Sequence, residues 1–215
     1  MLLSQPTNIL VLLIPTLLFA LCFHEYAHAM MAYRLGDDTA ARMGRLTINP
    51  LVHIDPMGAL LILFVGFGWA KPVPVNVINL RNPRSDMMKI AFAGPASNLL
   101  LALIGGLLFR VMIISGLTSA TGFISITKML LLFIQINIML AVFNLLPITP
   151  LDGSRIFTGM IANKYPDFAH QMNMHGPKVL LGILLLGYLT NIHIFWWILS
   201  PFLTIFMYIF AGIRI

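Results

Sequence analysis

Long apolar segments constrain this chain more than any other feature of its sequence. Residues 8–35 form the first such segment, and others cover roughly residues 88–117, 126–147 and 178–215. A helix of about 20 apolar residues is long enough to cross the hydrocarbon core of a bilayer. Only 9% of the residues are charged and 59% are hydrophobic, whereas soluble domains carry roughly 25% charged residues. We therefore expect the lipid bilayer, rather than water, to surround most of the chain.

The segment pattern predicts an all-α membrane protein built as a polytopic bundle of transmembrane helices. No polar stretch is long enough to fold separately, so we expect residues 1–215 to form a single domain with a core at about 8–160. The C-terminal segment, 178–215, is compatible with one long helix or with a helix pair. A pair would be broken near Asn191 or at Ser200–Pro201.

A small re-entrant or interfacial β element is predicted between the first two spans. Residues 57–69 are apolar but too short to cross a bilayer, which favours a re-entrant or interfacial segment. Residues 70–89 then combine prolines with alternating apolar and polar residues, a pattern typical of a short edge strand. Within it, residues 72–80 could pair with the backbone of an unwound substrate, or could form a structural loop in the interface.

The net charge of +6 is better explained by membrane topology than by nucleic-acid binding, and no nucleic-acid partner is expected. Basic residues concentrate in two connections, 34–89 and 155–178, whereas the short connection near 117–125 carries no charge. By the positive-inside rule, both basic connections lie in the cytosol and the N-terminus lies outside. The sequence thus predicts a multi-pass protein of the plasma membrane.

Glu25 is the only glutamate in the chain, and it lies inside the first apolar segment, within the sequence HEYAH. An ionisable group at membrane depth is costly and marks a functional site by default. His24 and His28 are four residues apart and therefore share one helical face, which suits two nitrogen ligands of one Zn²⁺ ion. Glu25 lies one step round the helix, where it can accept a proton from water that the metal activates.

A catalytic zinc ion needs a third protein ligand, and the sequence removes several candidates. No second glutamate exists, and Arg34 stands where the extended motif places a third histidine. Cys22, the only cysteine, points to a different side of the helix. Asp152 is the best placed acid, because Pro147, Pro150 and Gly153 interrupt the helix around it. A helix-capping role for Asp152 remains an alternative, and His53 and Asp55 are the next candidates for the ligand.

Three motifs together resemble the site-2 protease family of intramembrane zinc proteases: HEYAH on the first span, AGPASN on a central span and NLLPITPLDG after a later one. The segments GRLTINPLVHIDPMG and FGWAKPVPVN are similar to its short bacterial and archaeal branch, which lacks PDZ and CBS domains. The resemblance covers about residues 10–160. Thr149 departs from it, because the branch usually has proline at that position.

The resemblance implies one Zn²⁺ ion bound by His24, His28 and Asp152, with Glu25 as the general acid and base. It further implies that Asn144 hydrogen-bonds the scissile peptide or its oxyanion. Asn98 occupies the polar position of a family motif and is expected to contact substrate, or to form an interhelical hydrogen bond. The implied activity is regulated intramembrane proteolysis of membrane-anchored proteins; no oligomeric state is implied.

Two other classes of function use similar residues. A proton-coupled transporter could use the histidines and acids as a relay, but the chain has no evident internal repeat and few buried acids. An inactive scaffold for membrane helices is the other class, and the complete set of motifs argues against it.

Overall fold

The structure, a computed structural model, describes residues 6–65, 68–119, 121–190 and 194–214. Helices dominate this part of the chain, because a backbone surrounded by lipid must satisfy its N–H and C=O groups internally. The helices are α1 (Thr7–Arg34), α2 (Thr39–Arg42), α3 (Pro56–Val65), α4 (Pro83–Ile114), α5 (Ile124–Asn144), α6 (Asp152–Ile161), α7 (Pro166–Thr190) and α8 (Ile194–Ala211).

Four of the described helices, α1, α4, α5 and α8, are long and apolar enough to cross a membrane. This confirms the predicted polytopic helical bundle. The last apolar segment, 178–215, contains the C-terminal half of α7 and all of α8, with Pro201 inside α8 rather than at a break. The other predicted break, Asn191, lies outside the described residues.

Helix α4 is the centre of the bundle and contacts α1, α5, α6 and α8. Small residues on α4 allow these close approaches. At Gly106, for example, a Cβ atom would lie 2.6 Å from the backbone carbon of Phe210 on α8. Beside this contact, Ile134 and Ile138 of α5 and Met207 of α8 form a fully buried apolar cluster.

The predicted β element is wrong for the residues that the structure describes. No strand is assigned among them, and a single isolated bridge joins Ile54 to Ala70. Residues 68–76, which we call the strap, have no regular secondary structure apart from the bridge at Ala70. Val77–Asn79 then forms a 3-10 turn, and α4 already begins at Pro83.

The physical reason is the fate of the strap's backbone N–H groups. Pro72 and Pro74 have none to donate to a strand ladder. The N–H of Val73 donates to Glu25 Oε2 at 3.1 Å, and that of Asn76 donates to Asp37 Oδ2 at 2.7 Å. Side-chain carboxylates therefore take the donors that a neighbouring strand would need.

The predicted re-entrant segment corresponds to α3, whose 10 residues are too few to span a bilayer. The chain leaves at Ile54 and returns at Ala70, where the isolated bridge closes the excursion. Gly58 permits this close return, because a Cβ atom there would lie 2.1 Å from the carbonyl oxygen of Trp69. The excursion thereby delivers the strap to the face of α1 that carries Glu25.

Candidate metal centre

Three side chains from two helices converge inside the bundle. His24 and His28 project from α1, and Asp152 is the first residue of α6. The two Nε2 atoms lie 3.0 Å apart, and Asp152 Oδ2 lies 3.1 Å from His24 Nε2 and 3.2 Å from His28 Nε2. Ligand atoms about 2.0–2.1 Å from one zinc ion lie roughly 3.3 Å apart at tetrahedral angles. The triangle therefore has nearly the dimensions of one face of a zinc site.

The outer nitrogen of each imidazole faces a hydrogen-bond acceptor. His24 Nδ1 donates to Asn98 Oδ1 at 2.6 Å, and His28 Nδ1 donates to the carbonyl oxygen of Ile90 at 2.6 Å. With the proton on Nδ1, each neutral ring presents the lone pair of Nε2 to the centre of the triangle. Two lone pairs and a carboxylate oxygen at this spacing repel one another unless a cation lies among them.

A second buried amide and a backbone carbonyl fix the orientation of the Asn98 side chain. Asn98 Nδ2 donates to Asn137 Oδ1 at 2.8 Å and to the carbonyl oxygen of Ala20 at 3.1 Å. Asn137 Nδ2 in turn donates to the carbonyl oxygen of Phe133 at 2.8 Å. Both amides are fully buried. Asn98 Oδ1 must therefore face His24, and one network ties α1, α4 and α5 together behind that ligand.

Gly94 of α4 leaves space beside the two imidazoles. A Cβ atom at this position would lie 2.3 Å from His28 Nε2 and 2.5 Å from His24 Nε2. The position that this Cβ would take is therefore close to the Nε2 atoms of both His24 and His28. A cradle of this size, together with two neutral nitrogens and one carboxylate oxygen, fits a zinc ion.

Asp152 supplies the charge of the donor set. An aspartate carboxyl ordinarily has a pKa of about 3.9, and a cation held by the three side chains would favour its ionised form. Asp152 is thus a carboxylate at neutral pH. The N-cap residue of α6 is Leu151, and Asp152 is already the first residue of the helix, so the capping alternative does not describe the position of Asp152.

A cavity of about 450 Å³ opens beside the three side chains. Glu25 and Asp152 line it, together with the strap and with apolar residues of α7, among them Leu180 and Leu184. Glu25 is not one of the three clustered side chains, and its Oε2 is occupied by the Val73 N–H. The catalytic carboxylate predicted from HEYAH thus faces the same space as the cluster.

The two predicted asparagines take different places. Asn144 lines the cavity, with its Nδ2 donating to the carbonyl oxygen of Leu140 at 2.9 Å. Asn98 is fully buried behind His24 and does not line the cavity. That placement favours its interhelical role over contact with substrate. Sequence reasoning missed Asn137, although an amide in the middle of an apolar segment was a usable signal.

His53 and Asp55, the other candidates for the third ligand, lie elsewhere. His53 Nε2 donates to the carbonyl oxygen of Thr47 at 2.7 Å, and Asp55 Oδ1 accepts the N–H of Gly58 at 2.8 Å at the start of α3. In the part of the chain that the structure describes, only His24, His28 and Asp152 form a group able to hold a metal.

Comparison with known proteins gave concordant results. The model of peptidase family M50 matches residues 109–185. The chain is 44% identical over 160 residues to "Putative zinc metalloprotease YwhC" of Bacillus subtilis, covering 74% of this chain and 73% of that protein. It is 33% identical over 166 residues to "Putative zinc metalloprotease Rip2" of Mycolicibacterium smegmatis, covering 68% of this chain and 56% of the relative.

The protein of the same name from Mycobacterium tuberculosis H37Rv is 32% identical over 152 residues, with the same shares of 68% and 56%. The chain thus spans just over half the length of the Rip2 proteins. No solved structure matches the chain significantly.

Proposed function

This chain belongs to peptidase family M50 and is an integral membrane zinc metalloprotease, and we propose that it hydrolyses peptide bonds in or near the transmembrane segments of membrane-anchored proteins. The observation that carries the proposal is the position of the metal cluster. His24, Glu25 and His28 lie within a helix long and apolar enough to span the bilayer. A site at that depth is suited to membrane-embedded peptide segments.

His24, His28 and Asp152 would hold the zinc ion. Bound zinc polarises a carbonyl group and lowers the pKa of water from 15.7 to about 7. Glu25 is the proposed base: its free carboxylate oxygen takes a proton from the attacking water and later gives it to the leaving amine. Asn144 is proposed to donate to the carbonyl oxygen that becomes negative, once its Nδ2 exchanges the Leu140 carbonyl for the substrate.

Asn98 is proposed to act on the metal ligand rather than on the substrate. Its carbonyl oxygen holds the Nδ1 proton of His24 and thereby keeps Nε2 free as a ligand. Because this residue is fully buried, a substrate segment in the cavity cannot reach it without rearrangement of the bundle.

The substrate is proposed to be a locally unwound segment. A helical substrate hides its peptide carbonyls in its own hydrogen bonds, so it must open before attack. The cavity is bounded on one side by the strap and on another by the apolar residues of α7. These walls suit an extended apolar peptide of a membrane protein, and water would enter from the cytosolic side.

The proposal is tested with purified wild type and two variants in proteoliposomes, using fluorescently tagged single-span membrane proteins as candidate substrates. We expect Glu25→Gln to retain about one zinc ion per chain and to lose cleavage, because only the base is removed. We expect Asp152→Ala to lose both zinc and cleavage. Asp55→Asn, which changes an acid outside the cluster, is the matched control and should retain both.

Full cleavage by Glu25→Gln would refute the assignment of Glu25 as the base. An unchanged zinc content in Asp152→Ala would refute the assignment of Asp152 as the third ligand. The transporter alternative predicts a different result, namely ion flux that survives removal of zinc. The scaffold alternative predicts no cleavage of any tested substrate by a fully zinc-loaded wild type.

A further inference from the structure

The strap places one backbone donor against the only glutamate of the chain. The N–H of Val73 donates to Glu25 Oε2 at 3.1 Å. Because Pro72 and Pro74 carry no N–H, Val73 holds the single backbone donor of this three-residue stretch. The donor is thus unambiguous in both chemistry and position.

The strap is fixed on both sides of Val73 by contacts that do not involve Glu25. On one side, Arg45 Nη2 donates to the carbonyl oxygen of Lys71 at 2.6 Å and to that of Pro72 at 3.3 Å. The N–H of Lys71 also donates to the carbonyl oxygen of His53 at 2.8 Å. Arg45 is only 6% exposed, so this anchor is a buried one.

The other side is anchored by Asp37, which is fully buried. Its Oδ2 accepts the N–H of Asn76 at 2.7 Å, and its Oδ1 accepts hydrogen bonds from Asn79 and Thr39. Two buried charged side chains therefore hold the strap at either end. The Val73 donor is in place regardless of how the Glu25 side chain is turned.

A glutamate side chain has several rotatable bonds, and a base works only when its carboxylate points at the proton it takes. We propose that the backbone N–H of Val73 is a positioning group for Glu25, and that Arg45 and Asp37 act through the strap to aim it. The bond to Oε2 fixes the carboxylate of Glu25, a residue that lines the cavity, and leaves Oε1 to take the proton. This inference rests on the proposed role of Glu25 as the base.

Proline at position 73 removes this donor and replaces one apolar side chain by another. Val73 lies between two prolines, and a residue that precedes a proline favours the extended and polyproline conformations that proline itself adopts. Val73→Ala is the matched control, because it shortens the side chain and retains the N–H. With the single-span substrate that wild type cleaves best, we expect Val73→Pro to lower kcat about 10- to 100-fold, as misplaced catalytic groups do.

In the same variant we expect zinc content to stay at the wild-type level, since no ligand is altered. Val73 lines the cavity, so we expect KM to change by the same factor, within about twofold, in Val73→Pro and in Val73→Ala. Val73→Ala alters the same cavity wall but retains the N–H, and we expect it to keep at least about fivefold more kcat than Val73→Pro. Wild-type kcat in Val73→Pro, or an equal loss in both variants, would overturn the proposal.

A second measurement tests the hydrogen bond without any activity. Amide hydrogen exchange of the strap reports Val73 alone over residues 72–74, and Glu25→Ala removes its acceptor. We expect this amide to exchange about tenfold faster or more in Glu25→Ala than in wild type. Equal exchange rates would refute the positioning contact, and this result decides the matter if Val73→Pro fails to fold. Active Glu25→Gln with slow Val73 exchange would instead refute only the assigned base.

Discussion

An alanine at position 94 would place a methyl group in the space between the two imidazoles of the metal cluster. Its Cβ would lie 2.3 Å from His28 Nε2 and 2.5 Å from His24 Nε2, whereas ordinary van der Waals contact begins at 3.4 Å. Each nitrogen would therefore have to retreat by about 1 Å. The rings cannot easily do so, because the opposite nitrogen of each already lies 2.6 Å from an acceptor.

The magnitude follows from two opposing effects. Alanine is favoured over glycine in a helix by roughly 0.5–1 kcal/mol, but overpacking a filled site costs about 1–3 kcal/mol. We expect Gly94→Ala to lower the stability of the zinc-free protein by roughly 1 kcal/mol, the difference between the midpoints of these two ranges. Zinc affinity should fall about 100-fold or more, beyond the effect of typical outer contacts, because the methyl group occupies the cradle itself.

Gly182→Ala is the matched control, since this glycine of α7 has no atom within 4 Å of the added Cβ. Zinc per chain after equilibration with a graded series of chelator, together with thermal unfolding in detergent with and without zinc, measures both effects. If Gly94→Ala kept wild-type zinc affinity and shifted Tm no differently from Gly182→Ala, the cradle would not be the metal site.

Two further predictions concern groups outside the cluster. Asn137→Leu removes the amide that orients Asn98, and we expect zinc affinity to fall about tenfold. Asn163→Leu changes an exposed amide and is the control, which should keep the wild-type zinc affinity. Equal zinc affinities in the two variants would contradict the proposed role of the Asn98–Asn137 pair. Hydrogen bonds to Asp37 outweigh its burial and lower its pKa, so its stabilising effect is fully present above the unfolded pKa of about 3.9 and is lost as pH falls through the folded value. We expect Asp37→Asn to lower Tm in detergent at pH 7, with the deficit narrowing below about pH 4; a deficit that stays constant down to pH 3 would show that ionisation of Asp37 is irrelevant.

Local periodicity made part of this structure predictable. A four-residue spacing on a helix fixes the relative positions of His24 and His28 without knowledge of the rest of the fold. Segment length and hydropathy predicted the membrane-crossing helices, which the structure confirms. The zinc cofactor and the metalloprotease class are likewise confirmed by the family comparisons. The roles of individual residues in catalysis remain predictions.

Features that depend on packing between helices could not be read from the sequence. The prediction of an edge strand was wrong because the alternation of residues and the prolines do not reveal the partners of the strap's backbone N–H groups. Those partners are carboxylates of distant residues, Glu25 and Asp37. The Asn98–Asn137 pair depends on α4 and α5 meeting in one register. Asp152 was favoured as the third ligand because the chain has no second glutamate and because prolines and a glycine interrupt the helix around it, while His53 and Asp55 stayed open as alternatives.

The sequence separation of the metal cluster has a consequence for how the enzyme comes into being. His24 and Asp152 are 128 positions apart, so both imidazoles and Glu25 enter the membrane well before the third side chain has been synthesised. A nascent chain that ends before α6 carries the motif but cannot complete the triangle. On the proposed ligand set, proteolytic competence is therefore a property that the chain acquires only after α6 has been synthesised.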